Sequence, residues 1–244
     1  MYREELDETG KTKRIKHTNS GYTKEGDFFV PAGEYILYGE RGASKTEKRV
    51  TVVAGKGKEE RLVFNSGWLR SSAIAVVGGK PLDGTWFGVY REETDDTGKT
   101  KRVKHTNSGY TKEGDFFVPA GEYILYGERG ASKIEKRITV EAGKGKDEQL
   151  VFNSGWLRLT GIGEEGGKPM GGTWFGVYKE VTDDSGKTKR VKHTNSGYTA
   201  EASFFVPAGE YILYGENKGF KGERRIAVEP GKSSVIQIIV DQPK

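Results

Sequence analysis

Few residue groupings in this chain have the types and spacing that chemistry needs. Asp95 to Thr100 reads Asp-Asp-Thr-Gly-Lys-Thr, and the ending Gly-Lys-Thr is that of a phosphate-binding loop. Such a loop also needs a glycine five residues earlier, so that backbone amides wrap the phosphate, and a helix after it. Glu5, Glu93 and Val181 occupy that place in the three versions of the segment, and strand-forming residues follow. A charged hairpin turn is the better reading. His17, His105 and His193 have neither a second histidine nor any cysteine nearby, so no transition-metal site is expected. Asp95 and Asp96 lack the ligand spacing of a calcium loop. No Ser-His-Asp set or nucleophile elbow occurs, and the paired carboxylates sit in charged turns where solvation explains them. No catalytic, cofactor-binding or metal residue is therefore assigned, and an enzyme is not expected. The basic run Lys99–Thr106 would suit nucleic acid, but strand alternation splits its charges over two faces between acidic turns. Nucleic acid is not expected as a partner.

The remaining candidates are aromatic. Alternation in the segment Phe116–Tyr126 sends Phe116, Val118, Tyr123 and Leu125 to one face and Phe117, Ile124 and Tyr126 to the other. A sheet with one wet face should be polar on that second side. Phe29, Tyr38, Trp86, Tyr90, Phe117, Ile124, Tyr126, Trp174, Tyr178, Phe205 and Tyr214 thus form a candidate interaction surface. Outward rings could stack on sugars, so tandem carbohydrate-binding modules on a surface polysaccharide are the alternative function. The plainer reading is that the rings pack against a neighbouring repeat or chain.

The elements that must position these residues recur. The segment from Lys16 to Lys45 returns letter for letter from Lys104 to Lys133, and a third version runs from Lys192 to Lys221. The offset is 88 residues, and Tyr2–Ser66 differs from the second copy at about eight positions, Leu6 against Thr94 among them. The third copy diverges toward its end, as a terminal cap does in a tandem array. Short aromatic and β-branched segments alternate with turns rich in glycine, asparagine and aspartate, and no helical period is sustained. Pro119 fixes its own φ and Gly121 permits a positive one, giving a tight reversal in Val-Pro-Ala-Gly. The predicted fold is all-β: three tandem antiparallel β-sandwich repeats over residues 1–66, 67–154 and 155–244, the first lacking its two N-terminal strands.

Three motifs carry a resemblance: Gly-Gly-Lys-Pro-Leu-Asp-Gly at 78–84, Phe-Val-Pro-Ala-Gly-Glu-Tyr at 117–123, and the closing pair around Ile138–Phe152. Unit by unit the chain resembles the transthyretin-like (prealbumin-like) sandwich of carboxypeptidase-regulatory and collagen-adhesin B-type domains. It is also similar to tandem repeats that follow von Willebrand A-type domains in some proteobacterial proteins. The resemblance implies an Ig-like sandwich and poorly constrains function. The Lys–Asn crosslink frequent in collagen-adhesin domains does not carry over, because the first strands contain no lysine and the third repeat ends without asparagine.

The repeats join through Phe-Asn-Ser-Gly-Trp-Leu-Arg, too short for a flexible tether. Asn65, Trp68, Asn153 and Trp156 are the expected inter-repeat joint residues. The chain of 244 residues has no cysteine and a formal charge of +5 with both signs interleaved. No apolar run is long enough for a membrane helix, and residues 1–14 hold no apolar signal core. Membrane insertion is not expected. The function expected from all this is a structural repeat protein. It would form a stiff rod, or a filament that assembles with itself by strand complementation or swapping, at a bacterial cell surface or outside the cell, the periplasm included.

Overall fold

The computed structural model describes residues 1–243, with backbone alone at Gln242 and Pro243; Lys244, the last residue assigned to the third repeat, lies outside the described residues. The chain is all-β. Among the described residues no helix is long and apolar enough to cross a membrane.

The first repeat contributes β1 (Tyr2–Leu6), β2 (Thr12–Lys16), β3 (Gly33–Arg41) and β4 (Ser44–Val52), in one sheet of order β2-β1-β3-β4. The second contributes β5 (Ser66–Ile74), β6 (Thr85–Thr94), β7 (Thr100–Thr111), β8 (Glu113–Pro119), β9 (Gly121–Arg129), β10 (Ser132–Val140) and β11 (Gly145–Val151). They form a four-stranded sheet, β10-β9-β6-β7, and a three-stranded one, β11-β5-β8. The third contributes β12 (Ser154–Ile162), β13 (Thr173–Thr182), β14 (Thr188–Thr199), β15 (Glu201–Pro207), β16 (Gly209–Asn217), β17 (Phe220–Val228), β18 (Ser233–Ile239) and β19 (Gln242–Pro243). Its sheets run β14-β13-β16-β17-β19 and β15-β12-β18. Among the strand pairs whose register is described, the ladders are antiparallel except that β12 pairs β18 in parallel, Leu157 opposite Ser234 and Leu159 opposite Ile236. Chain segments fall into two compact units, one of Met1–Leu69, Phe116–Glu122 and Thr139–Lys146, the other of Arg70–Asp115, Tyr123–Ile138 and Asp147–Lys244.

Alternation builds the third repeat's core. Phe175 and Val177 of β13 point inward with Leu157 and Leu159 of β12, Phe204 and Val206 of β15, Tyr211 and Leu213 of β16, and Ile236 and Ile238 of β18. Both sheets supply one cluster, which makes this repeat a sandwich. Each such buried side chain contributes roughly 1.5–3 kcal/mol relative to exposure. The hairpins between the long strands are closed by aspartate. Asp95 Oδ1 accepts from Thr97 N at 3.0 Å, Thr97 Oγ1 at 2.6 Å and Lys99 N at 3.0 Å, while Gly98 takes φ +80°. Those bonds hold the Asp95 carboxyl below the usual range, the Thr97 hydroxyl contributing most. Gly-Lys-Thr is thus the tip of a β6–β7 hairpin.

The first repeat departs from expectation. Residues 17–32 and 53–65 hold no strand. They include Glu25–Pro31, identical in sequence to β8, and Gly57–Val63, the counterpart of β11. Beyond the N-terminal strands expected to be lacking, the strands equivalent to β8 and β11 do not occur in this repeat either, and those of β6 and β7 are shortened to β1 and β2. The reason is topological. In the complete repeats, the strand of the β5/β12 type lies in the centre of the three-stranded sheet, and its neighbours pair only with it. Without the central strand, the flanking sequences have no ladder to join. What remains is a small core of Met1, Tyr35 and Val50, with Phe28, Val30, Leu37 and Val52 packed against it.

Candidate functional site

The chain's most specific geometry lies at the two places where one repeat meets the next, and each lies within a single compact unit. At the first joint the β3–β4 loop, Arg41-Gly42-Ala43-Ser44, caps the end of β8. Ala43 N donates to Phe117 O at 3.0 Å. Ser44 is fully buried, and its hydroxyl lies 2.8 Å from that of Ser66. Ser66 Oγ is also 2.8 Å from Phe64 O. Ala120 N donates to Asn65 O at 2.8 Å, and Trp68 N to Lys144 O at 2.9 Å. Phe117 lies under the Trp68 ring, centroids 5.0 Å apart, with Phe64 at 6.0 Å on an edge. Arg41 Cζ lies 4.9 Å from the Trp68 centroid and 5.1 Å from that of Phe117, so the cation covers both rings.

The second joint repeats this plan. Ala131 N donates to Phe205 O at 3.0 Å, Ser154 Oγ lies 2.8 Å from Ser132 Oγ, Ala208 N donates to Asn153 O at 2.8 Å, and Trp156 N donates to Lys232 O at 2.9 Å. Trp156 and Phe205 are 4.8 Å apart, Phe152 and Phe205 5.7 Å, and Arg129 Cζ is 5.7 Å from the Phe205 centroid. Ala131 also packs against the third repeat's core cluster.

Backbone conformation explains the residue choices. Asn65 and Asn153 adopt φ of +46° and +48°, the left-handed region that asparagine enters more readily than most side chains. Gly42 and Gly130 adopt +56° and +55°, and a Cβ there would stand 2.9 Å from Phe117 O and 3.0 Å from Phe205 O. Only glycine lets that loop approach the neighbour's backbone so closely.

At these places Asn65 and Asn153 turn the chain, and Trp68 and Trp156 each stack on a phenylalanine of their own repeat, Phe117 and Phe205. The candidate surface residues divide among several environments. Phe117 and Phe205 belong to the joints. Phe29, at the equivalent position of the first repeat, is fully exposed. Ile124 is buried. Trp86, Tyr90 and Tyr126 form one half-buried cluster, the Tyr126 ring edge-on to Trp86 at 5.7 Å and to Tyr90 at 6.0 Å. Trp174, Tyr178 and Tyr214 repeat it, and Tyr38 keeps a remnant with Tyr2 at 5.9 Å. Trp86 and Tyr90 both lean over Gly88, where a Cβ would come within 2.6 Å of the indole. The Tyr214 hydroxyl donates to Glu216 at 2.8 Å, and burial together with that bond pushes its pKa up to about 12.

On the basic strand β7, Arg102 forks onto Glu135 of β10 at 2.5 and 2.8 Å, and on β10 Arg137 forks onto Glu92 of β6 at 2.8 Å. Exposed pairs of this kind contribute little stability, about 0–1 kcal/mol each. Among the described residues no cluster of three or more His, Cys, Asp or Glu side chains could hold a metal ion.

The histidines are packed against tyrosine. His105 lies 5.6 Å from the Tyr123 ring, His193 lies 5.6 Å from Tyr211, and the Nε2 atom of each is buried without a hydrogen-bond partner. Burial, then the nearby Arg91, lowers the pKa of His105; burial, then Lys179, lowers that of His193. A folded-state pKa below the unfolded value of about 6.5 means that the unfolded chain binds the proton more tightly. This stability is present above about pH 6.5 and is lost as pH falls through the folded-state values. Denaturant midpoints measured from pH 8 to pH 5 should therefore fall with acidity, and the double variant His105→Gln, His193→Gln should show a flatter dependence. Parallel curves for the variant and the parent would show that these two groups do not set the slope.

Sequence reading missed the Arg-Gly-Ala-Ser loops at 41–44 and 129–132. A signal was there. Those loops are identical in the first two repeats, and the third repeat reads Asn-Lys-Gly-Phe at 217–220 instead.

No protein-family model and no curated protein matches the chain. Among solved structures, the chain is similar to the Bacillus anthracis TIE protein, at 17% identity over 97% of this chain and 47% of that one, with a TM-score of 0.28. It is also similar to the shaft pilin SpaA from Lactobacillus rhamnosus GG (11% identity, 74% of this chain, 98% of that one, TM-score 0.34). GBS52, the minor pilin of Streptococcus agalactiae, gives 15% identity over 70% of this chain and 94% of that one, with a TM-score of 0.33. The chain spans about half the length of the first of these. At such scores these likenesses carry nothing about the role of this chain.

Proposed function

We propose that the chain is a structural repeat segment whose role is to hold successive β-sandwich repeats at fixed joints, in a cell-surface or extracellular assembly. The three repeats, offset by 88 residues, are its units of construction, and strand complementation is the proposed route of further assembly. One observation carries the reading. The same loop, hydroxyl pair, asparagine turn and Trp–Phe stack are built twice, 88 residues apart, with matching distances. A flexible string of domains has no use for a buried, hydrogen-bonded joint, whereas a spacer that transmits position or force does. A role as an enzyme finds no support in residue chemistry. The carbohydrate reading is not favoured by a specific observation, since Trp86 and Trp174 are half-buried and face a tyrosine edge.

The test exploits the absence of native cysteine. Spin labels at Lys104→Cys and Lys192→Cys, on equivalent exposed positions of the second and third repeats, should give one narrow distance distribution. Adding Trp156→Ala should broaden it. A broad distribution in the parent would overturn the fixed-joint reading.

A further inference from the structure

A second construction recurs in each repeat: a histidine and a cation against the ring of one buried tyrosine. In the third repeat, the His193 ring lies 5.6 Å from that of Tyr211, and Lys179 Nζ lies 4.9 Å from the same centroid. His105 and Arg91 meet Tyr123 at 5.6 and 4.8 Å, and His17 and Arg3 meet Tyr35 at 5.4 and 5.0 Å. His193 owes its place to a β-bulge. Val177 pairs with Thr194 and Tyr178 with Lys192, so His193 is the extra residue of β14, with none opposite it. A bulge re-aims a side chain, and here the Nε2 atom is buried without a hydrogen-bond partner. Tyr211 in turn reaches the second joint. Its hydroxyl donates to Pro207 O at 2.7 Å, and the next amide, Ala208 N, donates to Asn153 O at 2.8 Å, in the turn that leads into β12.

We infer that His193 is a proton-operated latch on the second joint: its neutral ring holds Tyr211 in place, and protonation releases Tyr211, then Pro207, then the bond from Ala208 to Asn153. An imidazolium brings a second N–H and a full charge into this site. The groups that meet it suit a cation poorly. Lys179 of β13 is itself a cation, and the Tyr211 hydroxyl of β16 is committed to Pro207 O. On β14 the flanking ionisable side chains, Arg190 and Lys192, are cations too. Glu180 of β13 is held by Arg225 of β17, and Glu223 of β17 by Arg190. In the second repeat, burial and Arg91 act against charge on His105, and Glu93 favours it. Val181 stands in the place of Glu93 in the third repeat, where burial and then Lys179 hold the His193 pKa down. The joint is therefore tight above about pH 6.5 and loosens as pH falls through the lowered folded-state value.

The inference rests on the fixed-joint reading and deepens it by naming what regulates the joint. The experiment compares amide hydrogen exchange of the full chain at pH 8 and pH 5, each rate taken relative to the intrinsic rate at that pH. Protection of Ala208 should fall about tenfold more on acidification than that of Leu157 and Leu159, in the core strand β12. His193→Gln should abolish this extra fall. Tyr211→Phe keeps the ring but removes the donor to Pro207, so Ala208 should lose protection already at pH 8 and show no further extra fall. Val181→Glu places a carboxylate where Glu93 stands, raises the His193 pKa toward its unfolded value and should shrink the fall. If either of the first two variants fails to fold, Val181→Glu decides alone, since that side chain is exposed. An unchanged fall in any folded variant overturns the inference, as does a parent in which Ala208 only keeps step with β12. Ala208 and Trp156 unprotected already at pH 8 would overturn the fixed-joint reading itself. Equal protection at both pH values would overturn the latch alone and leave the fixed joint standing.

Discussion

Phe205→Ala should destabilise the third repeat by about 3–5 kcal/mol, the range for truncating a buried aromatic, whereas Phe29→Ala should change stability by no more than about 0.5 kcal/mol. The two residues occupy the same position of the repeat. Phe205 is 6% exposed, under Trp156, Phe152 and Arg129; Phe29 is wholly exposed. The loss at Phe205 combines transfer of a large apolar side chain with a cavity beneath the indole, which two neighbouring rings can only partly refill. Repeat arrays need not unfold in one step, so the measurement is exchange of individual amides with denaturant, read for β12, β15 and β16. Equal effects at the two positions would mean that the stack at the joint contributes nothing.

Gly155→Ala should cost about 1–3 kcal/mol, as overpacking does, and should open the second joint. A Cβ at this position would lie 2.5 Å from Glu229 O, 3.0 Å from Lys232 O and 2.8 Å from Val228 Cγ1. Two of these neighbours are backbone and cannot rotate away. The bonds from Trp156 N to Lys232 O and from Gly231 N to Ser154 O flank the contact and are the ones that must lengthen. Gly145→Ala is the control: a Cβ there meets nothing within 4 Å, and φ is not in the left-handed region. Thermal unfolding and amide exchange at Trp156 and Gly231 would decide the matter. A Gly155→Ala chain as stable as the Gly145→Ala chain would show that the loop relaxes freely and that the close approach is not required.

The repeat period and the all-β class were legible from residue order. Period-two alternation sends Phe175 and Val177 inward wherever the chain forms a sheet, and Asn-Ser-Gly-Trp marked each joint because it recurs where one repeat ends and the next begins. The turn reading of Asp-Asp-Thr-Gly-Lys-Thr also followed locally, since an aspartate two and four residues before available amides closes its own turn. The Arg-Gly-Ala-Ser loops were not read as contacts. Their partners, Phe117 O and Phe205 O, lie 73 or more residues away along the chain and are backbone atoms with no sequence identity of their own.

Seven residues set the boundary between the two sources of information. Glu-Gly-Asp-Phe-Phe-Val-Pro occurs at 25–31 and at 113–119, and the local propensities are the same in both places. The sequence by itself determined which side chains turn toward a core, and Phe28 and Val30 face one even without a strand. Only the tertiary structure decided whether the segment became a strand. A strand's backbone amides and carbonyls need a partner ladder, and at 113–119 the central strand β5 supplies it. At 25–31 no such strand is present, and Phe29, identical in type and setting to Phe117, faces solvent rather than a tryptophan.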